Sequence, residues 1–226
     1  MKKLLFILLL LPFIAFGQNT ITVKHTYYTL MYDTLIKSPL ISYYIQTKSH
    51  AISDVKIDRK LVASFHQDPL IPEKYQIAND KEYYTFNQLH KDDGLRKDKG
   101  HLSPYSAFYF DLTAAKESMY YTNTAPQAYF LNEHPWERLE QYILKDLAHK
   151  TDNIFVWTGC LYGQEKMNDV YIPDYYWKVV KYNGRVECWL AKNEVTKNTN
   201  YGQYSTTLIN LKITITRYYP KLKLDF

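Results

Sequence analysis

The sequence predicts an α+β fold in which a mainly antiparallel β-sheet is flanked by helices. Three features predict it: an aromatic-rich composition, one β-hairpin signature and one long amphipathic helix. The chain contains 23 Tyr, 10 Phe and 4 Trp among 226 residues, and aromatic side chains favour strands. Apolar residues make up 46% and charged residues 23%, which excludes wholesale disorder, collagen and multi-span membrane proteins. The length and the lack of an internal repeat predict a single domain.

The N-terminus has the pattern of an export signal. Lys2 and Lys3 precede an apolar run at residues 4–16, which is short for a bilayer span, and the chain turns polar at Gln18. We therefore expect a signal peptide at residues 1–17, with an uncleaved membrane anchor as the alternative. The expected product is secreted or periplasmic, without stable membrane association.

The mature chain, residues 18–226, is mildly basic. Removal of the two signal lysines leaves 26 of the 28 Lys and Arg residues against 23 Asp and Glu. Such a balance permits contact with polyanions without requiring it, because dedicated nucleic-acid binders usually carry a denser basic stripe.

The first half of the mature chain contains three recognisable elements. Residues 39–46 have the β-branched and aromatic content of a strand. Residues 79–100 are polar and rich in turn-forming residues, which predicts a long exposed loop, and long loops in compact domains are often functional. Residues 112–118 are expected to form a short helix.

The clearest helix is predicted at residues 133–150. Its apolar side chains recur at spacings of three and four, as one buried helix face requires. They are Trp136, Leu139, Ile143, Leu144 and Leu147. Asn132 suits the N-cap, and Pro135 is tolerated in a first turn, where its missing N–H would be unpaired anyway.

A buried strand and a hairpin are predicted after this helix. Residues 154–158 form a short apolar run typical of a buried strand. Residues 175–182 and 185–191 flank the dipeptide Asn183-Gly184, which readily adopts the positive φ angles of a type I′ turn.

The two cysteines leave two alternatives open. The two-residue hairpin loop places Cys188 opposite Val179, and Cys160 lies two residues after the predicted strand at 154–158. An exported protein can keep a disulfide, but two buried thiols are equally compatible with the sequence. Two cysteines at this spacing do not form a metal-site pattern.

A linked set of polar motifs lies between Asp98 and Glu140, a stretch of 43 residues. The elements are, in order, Asp98-Lys99-Gly100-His101, Asn123-Thr124-Ala125-Pro126-Gln127, Asn132, and Trp136 with Leu139-Glu140. A D-x-G-H sequence alone is weak, whereas four elements in this order and spacing are specific.

These motifs resemble the DNA/RNA non-specific endonuclease family of ββα-metal, or His-Me finger, nucleases. Its signature is D-R-G-H, then N-x-x-P-Q, then an Asn opening a helix that carries W and L-E. Further matching segments lie at residues 65–72, 158–159, 170–173, 177–180 and 218–222. The resemblance covers most of the mature chain and implies a ββα-metal core set against the predicted sheet.

The resemblance also implies a metal-dependent phosphodiester hydrolase and assigns its site residues. His101 matches the general base, since a neutral imidazole is available near pH 7. Asn132 matches the direct protein ligand to Mg²⁺, a hard ion that accepts amide oxygen and retains waters. Glu140 matches the residue that holds a metal-bound water. Asn123 matches an asparagine that orients metal waters or phosphate, and Lys99 matches the arginine that neutralises phosphate charge.

Each of these residues has a structural alternative. His101 could cap a turn, and Asn123 could hold one together. The N-cap role of Asn132 would use the same side-chain oxygen as a metal ion. Glu140 could be a solvated helix charge.

Three positions depart from the family pattern. Lys99 replaces Arg and lacks the planar fork that grips two phosphate oxygens. Leu70 interrupts D-P-R-I-P, and Ala107 stands where many members are acidic. The family's upstream phosphate-binding Arg has no secure match; Arg59 is the nearest candidate, but its spacing is too loose to assign it the role.

The resulting hypothesis is an exported, Mg²⁺-dependent endonuclease that cuts DNA and RNA and leaves 5′-phosphate ends, with other divalent ions such as Mn²⁺ as alternative cofactors. The alternative hypothesis is a catalytically silent module that binds nucleic acid or another polymer. A third interpretation is a nuclease restricted to one substrate or controlled by an inhibitor protein. Sequence does not separate the third from the first.

Overall fold

A seven-stranded antiparallel sheet organises the part of the chain that this computed structural model describes, residues 19–62, 64–224 and 226. The predicted export signal lies outside the described residues. The strand order is β1-β2-β3-β6-β7-β8-β9, and β4 and β5 form a separate antiparallel pair. The strands are β1 Thr20–Lys24, β2 Tyr28–Asp33, β3 Ser38–Gln46, β4 Lys97–His101, β5 Thr124–Ala128, β6 Ile154–Met167, β7 Val170–Tyr182, β8 Arg185–Lys192 and β9 Ser205–Thr206.

Six α-helical segments accompany the strands within the described residues. They are α1 Lys48–Ala51, α2 Lys81–Leu89, α3 Leu112–Glu117, α4 Tyr129–Leu131, α5 Glu137–Gln141 and α6 Leu208–Tyr218. Two π-helical segments, Asn132–Trp136 and Tyr142–Leu147, follow α4 and α5 directly. We call this run from α4 to Leu147 the composite helix. None of the helices described is both long and apolar enough for a bilayer span.

The composite helix and α6 cover opposite faces of the large sheet. Neighbouring residues on a strand point to opposite faces. On β7, the Tyr176 ring centroid lies 5.8 Å from that of Trp136 in the composite helix. The adjacent Trp177 ring instead lies 5.7 Å from the Phe226 ring, whose centroid is 5.5 Å from Lys212 Nζ on α6. The pair β4-β5 leads directly into the composite helix, which gives the predicted α+β fold with a ββα core.

The hairpin and the strand at residues 39–46 are confirmed. Strands β7 and β8 are joined by Asn183 and Gly184, both at positive φ, and Val179 pairs with Cys188 as predicted. Both cysteines are buried and free, so the disulfide alternative is wrong. Burial raises the pKa of the Cys188 thiol to about 11, which keeps the thiol protonated and unreactive near neutral pH.

The predicted loop at residues 79–100 is wrong in its first half, where α2 forms, and at its end, where β4 begins. Tyr83 on α2 is buried in a small apolar cluster with Tyr121 and Ile172. Asn87 on α2 both donates to and accepts from the backbone of Lys97 on β4, at 2.9 and 2.8 Å. Tertiary contacts therefore stabilise a helix that its polar composition alone does not predict.

The predicted helix at residues 133–150 begins earlier and is less regular than expected. All five residues of its predicted apolar face are buried. However, Asn132 lies inside the composite helix with φ −63°, and its side chain donates to Asp98 instead of capping the helix, so the N-cap alternative is wrong. Pro135 lies inside the first π segment. Proline has no N–H to donate to the helix. The missing hydrogen bond accounts for the wider π-helical turn at this position.

Candidate active site

Strand β4 brings the D-x-G-H motif against β5. His101 pairs with Thr124, and Gly100 pairs with Ala125. A Cβ on residue 100 would overlap the Gln127 side chain on β5. The close approach of the two strands therefore requires glycine at this position, next to His101 at the end of β4.

Asn123 holds the turn that follows His101. Its Oδ1 accepts a hydrogen bond from the Ser103 N–H at 3.0 Å, and its Nδ2 donates to the carbonyls of Ser103 and Ser118 at 2.8 and 2.9 Å. The side chain is buried. These bonds are those of the turn-holding alternative, and Asn123 does not line the cavity described below.

Asn132 has the opposite arrangement. Its Nδ2 donates to Asp98 Oδ2 at 3.0 Å, which fixes the orientation of the amide. Within the described part of the chain, the Asn132 amide oxygen accepts no hydrogen bond. Asp98 is itself 4.0 Å from an Arg96 nitrogen. The free amide oxygen is thus presented by a π-helical turn, a feature often found at functional sites.

His101, Lys99 and Asn132 line one cavity of about 340 Å³. Its remaining lining residues are Arg59, Phe65, Tyr83, Asn87, Lys97 and Asp98. The structure therefore brings three of the five predicted site residues together, and it places Asn123 and Glu140 elsewhere. Because the His101 and Asn132 side chains share a cavity, a phosphate could contact both.

The His101 imidazole is held in its neutral form. Its Nε2 is buried and has no hydrogen-bond partner among the described residues. Burial, followed by the nearby charges of Arg59 and Lys99, lowers the pKa of His101 from 6.5 to about 3. An unpartnered neutral nitrogen can accept a proton from a bound molecule.

Two cations and His101 surround the Phe65 ring. The Arg59 guanidinium carbon lies 5.4 Å from the ring centroid, the Lys99 Nζ 4.9 Å, and the His101 ring 5.1 Å. Arg59 is a functional candidate that sequence spacing did not assign. The cation–π contacts fix both cations beside the imidazole, where they can neutralise an anionic ligand.

Glu140 lies outside the cavity lining and pairs with a buried lysine. Its Oε1 is 3.5 Å from Lys178 Nζ, with 14% of the Glu140 side chain and none of the Lys178 side chain exposed. Burial raises the pKa of Glu140 to about 7, although the Lys178 charge opposes the shift. The solvated-charge alternative for Glu140 is therefore wrong. Its predicted contact with a metal-bound water stays a prediction.

The donor set fits a hard divalent cation. The described residues contain no group of three or more His, Cys, Asp or Glu side chains that could bind a metal. One fixed amide oxygen with space for water and phosphate matches the way Mg²⁺ binds. Asn132 is the side chain that would hold such an ion.

Relatives of this chain are nucleases. The "Nuclease EXOG, mitochondrial" of Xenopus laevis is 29% identical over 136 residues, which cover 59% of this chain and 34% of that protein. The mouse (Mus musculus) protein of the same name is 27% identical over 151 residues, 67% of this chain and 37% of its own length. The "Endonuclease G, mitochondrial" of Bos taurus is 30% identical over 98 residues, which cover 43% of this chain and 29% of that protein. The chain thus matches only about a third of these relatives' length.

A solved structure shares the fold. A crystal structure of the EndoG/EndoGI complex, which addresses the mechanism of EndoG inhibition, aligns with a TM-score of 0.71 and 21% identity. The alignment covers 89% of this chain and 84% of that one. A sequence model described as DNA/RNA non-specific endonuclease matches residues 12–218. The chain therefore belongs to the DNA/RNA non-specific endonuclease family.

Proposed function

We propose that this protein is a divalent-metal-dependent endonuclease that hydrolyses the phosphodiester bonds of DNA and RNA. The observation that carries the proposal is the shared cavity, in which an unpartnered neutral imidazole on His101 lies with the free amide oxygen of Asn132. A base and an ion-binding oxygen in one cavity are the groups that phosphodiester hydrolysis needs.

His101 is the proposed general base. Its Nε2 takes a proton from water as the water oxygen bonds to phosphorus. The bond from phosphorus to the 3′-oxygen breaks, and the leaving oxygen takes up a proton from solvent. The products are a 3′-hydroxyl and a 5′-phosphate.

Substrate binding should strengthen this base. Burial is the main cause of the low pKa of His101, and the charges of Arg59 and Lys99 lower it further. A bound phosphate offsets those charges, so the pKa of His101 rises toward the range in which a base is effective near neutral pH. The imidazole is therefore a better proton acceptor with substrate bound than without it.

Arg59, Lys99 and Asn132 are the proposed phosphate- and ion-binding groups. Arg59 can donate two parallel hydrogen bonds to phosphate oxygens, whereas Lys99 acts as a point charge. Mg²⁺ is the proposed ion, with Mn²⁺ as an alternative, because an amide oxygen suits hard cations. When bound, the ion supplies electrostatic stabilisation of the crowded phosphate and the leaving oxygen.

Export of the protein is also a proposal. It is supported by the charged and apolar pattern of residues 1–17. Secretion fits a nuclease of low sequence specificity, since indiscriminate cleavage would damage the cell that makes it. N-terminal sequencing of the mature protein tests the proposal, which expects Gln18 as the first residue.

An inhibitor protein is a further proposed partner. The solved structure with the same fold is a complex of EndoG with EndoGI. An inhibitor of this chain should present acidic groups to the cavity, because Arg59 and Lys99 make it basic. Co-elution of such a partner that is weakened by Arg59→Ala would support the proposal.

Supercoiled plasmid cleavage tests the catalytic proposal. With Mg²⁺, the unaltered protein should nick and linearise plasmid, and a chelator should stop the reaction. His101→Ala should lower the rate by about 10² to 10⁴-fold, the usual contribution of a positioned base. His149→Ala, which removes an exposed histidine, is the matched control and should retain activity.

The same experiment distinguishes the silent-module hypothesis. That hypothesis expects salt-sensitive DNA binding without chelator-sensitive cleavage. Undiminished cutting by His101→Ala would contradict the proposed mechanism.

A further inference from the structure

Asp80 lies immediately before helix α2 and contacts a cation of the cavity. Lys99 Nζ is 2.9 Å from Asp80 Oδ1, and the Tyr121 hydroxyl donates to the same oxygen at 2.6 Å. An Asp before a helix commonly caps it, yet Asp80 makes no side-chain capping bond. Asn79 Oδ1 accepts from the Lys81 N–H instead. The Asp80 carboxylate is thus committed to Lys99 and Tyr121.

We propose that Asp80 is a positioning residue, which holds the Lys99 ammonium at the point in the cavity where a substrate phosphate binds. The inference rests on the proposed function. Lysine has a flexible four-carbon stem and lacks the planar fork of arginine, so its charge needs an external anchor. The Phe65 and Tyr83 rings, whose centroids lie 4.9 and 5.3 Å from Lys99 Nζ, restrict the same side chain.

The anchored ammonium keeps donors for a phosphate. An ammonium group has three N–H donors, and the Asp80 contact needs one of them. Only 17% of the Lys99 side chain is exposed, whereas 51% of Asp80 is exposed. Lys99 therefore faces the cavity with a fixed position and two donors available to a ligand.

The anchor also carries a cost for substrate binding. A half-exposed carboxylate beside a phosphate site repels the nucleic-acid backbone, although the Tyr121 hydroxyl offsets part of its charge. Asp80 should therefore raise kcat by fixing Lys99 and raise KM by repulsion. A residue with a merely structural role would not produce this split.

Steady-state cleavage of an oligonucleotide with Mg²⁺ tests the inference on the full chain. Asp80→Asn should lower kcat about tenfold, the scale of one charge-assisted hydrogen bond, and leave KM unchanged or lower. Asp80→Glu should restore part of kcat. Asp92→Asn is the matched control, because it removes the same charge from a side chain that is 86% exposed, and its kcat should equal that of the unaltered protein.

A double-variant comparison shows whether Asp80 acts through Lys99. In a Lys99→Met background, Asp80→Asn should cause no further loss of kcat, and thermal unfolding should show that each variant is folded. The inference is overturned if Asp80→Asn retains full kcat, or if its loss persists in the Lys99→Met background. Absence of any cleavage by the unaltered protein would refute the proposed function, and the inference with it.

Discussion

Two lysine–carboxylate pairs in this molecule have the same chemistry and different environments. Lys178 and Glu140 are 3.5 Å apart between β7 and the composite helix, and Lys178 is fully buried. Lys99 and Asp80 are 2.9 Å apart at the cavity, with Asp80 half exposed. The buried pair links the helix to the sheet, whereas the cavity pair lines a space that a ligand can enter.

The pKa values of the two carboxyl groups show the physical difference. Burial raises the pKa of Glu140 to about 7 and outweighs the opposing charge of Lys178. Burial also acts on Asp80, but hydrogen bonds from Tyr121 and Lys99 and the Lys99 charge outweigh it, so the pKa of Asp80 is lowered. Desolvation therefore determines the pKa of Glu140 between the composite helix and the sheet. Hydrogen bonds and the nearby lysine charge determine the pKa of Asp80 at the cavity.

Removal of the buried cation should give the largest effect on stability. Lys178→Met leaves the Glu140 carboxylate buried without its partner, and breaking a buried pair in this way costs about 3–5 kcal/mol. Urea unfolding at pH 8 measures the free energy of unfolding. Lys99→Met, which breaks the more exposed pair, should cost under about 1 kcal/mol.

The double variant Lys178→Met/Glu140→Gln provides the control for this comparison. It removes both charges, so it should be more stable than Lys178→Met alone. Equal stability of Lys178→Met and the unaltered protein would show that the buried pair does not hold the helix.

Loss of the Asp98 carboxylate should give an intermediate effect, on metal affinity. Asp98 orients the Asn132 amide through the 3.0 Å hydrogen bond. Asp98→Ala should weaken Mn²⁺ binding by about 10- to 100-fold, as is typical when a partner of a metal ligand is removed. Calorimetric titration measures the affinity, and Asp98→Asn, which keeps an acceptor oxygen, should bind more tightly than Asp98→Ala. An unchanged affinity in Asp98→Ala would contradict the orienting role.

The smallest expected effect is a pair of opposing pH dependences. The pKa of His101 is lowered to about 3 from 6.5, so its contribution to stability is lost as the pH falls below 6.5. The pKa of Glu140 is raised to about 7 from 4.5, so its contribution is lost as the pH rises above 4.5. Between pH 4.5 and 6.5 the two slopes oppose each other.

Single variants should reveal how each group alone changes the free energy of unfolding with pH. In His101→Gln, the free energy of unfolding should fall with rising pH across this window, by at most about 1.4 kcal/mol per pH unit. In Glu140→Gln it should rise with pH. Urea titrations at pH 4.5, 5.5 and 6.5 measure both, and identical profiles for the two variants would contradict the assignment.

Local patterns predicted the parts of the fold that depend on nearby residues. Asn183-Gly184 specified the hairpin, because the turn needs positive φ at two adjacent positions. The apolar face of the composite helix was predicted from spacing alone. The first turn of this helix was not predicted correctly, because asparagine is a residue type preferred at the N-cap but Asn132 lies inside the helix.

Features that depend on distant residues were missed or left open. Arg59 reaches the cavity from a segment 42 positions before His101, and no spacing rule connects them. Helix α2 was predicted as loop, because its stability depends on Tyr83 burying against β6 and β7 and on Asn87 bonding to β4. Burial of this kind is a property of the assembled elements.

The motifs at β4, β5 and the composite helix determined which chemical groups this protein can use: an imidazole, two amides, a lysine and a carboxylate. The folded chain assigned them different roles. The Asn123 amide makes three hydrogen bonds with the backbone, whereas the Asn132 amide oxygen accepts none from the described residues. The cause is physical, since hydrogen-bond partners, desolvation and neighbouring charge are set by elements far apart in sequence, and these decide whether a polar group is structural or reactive.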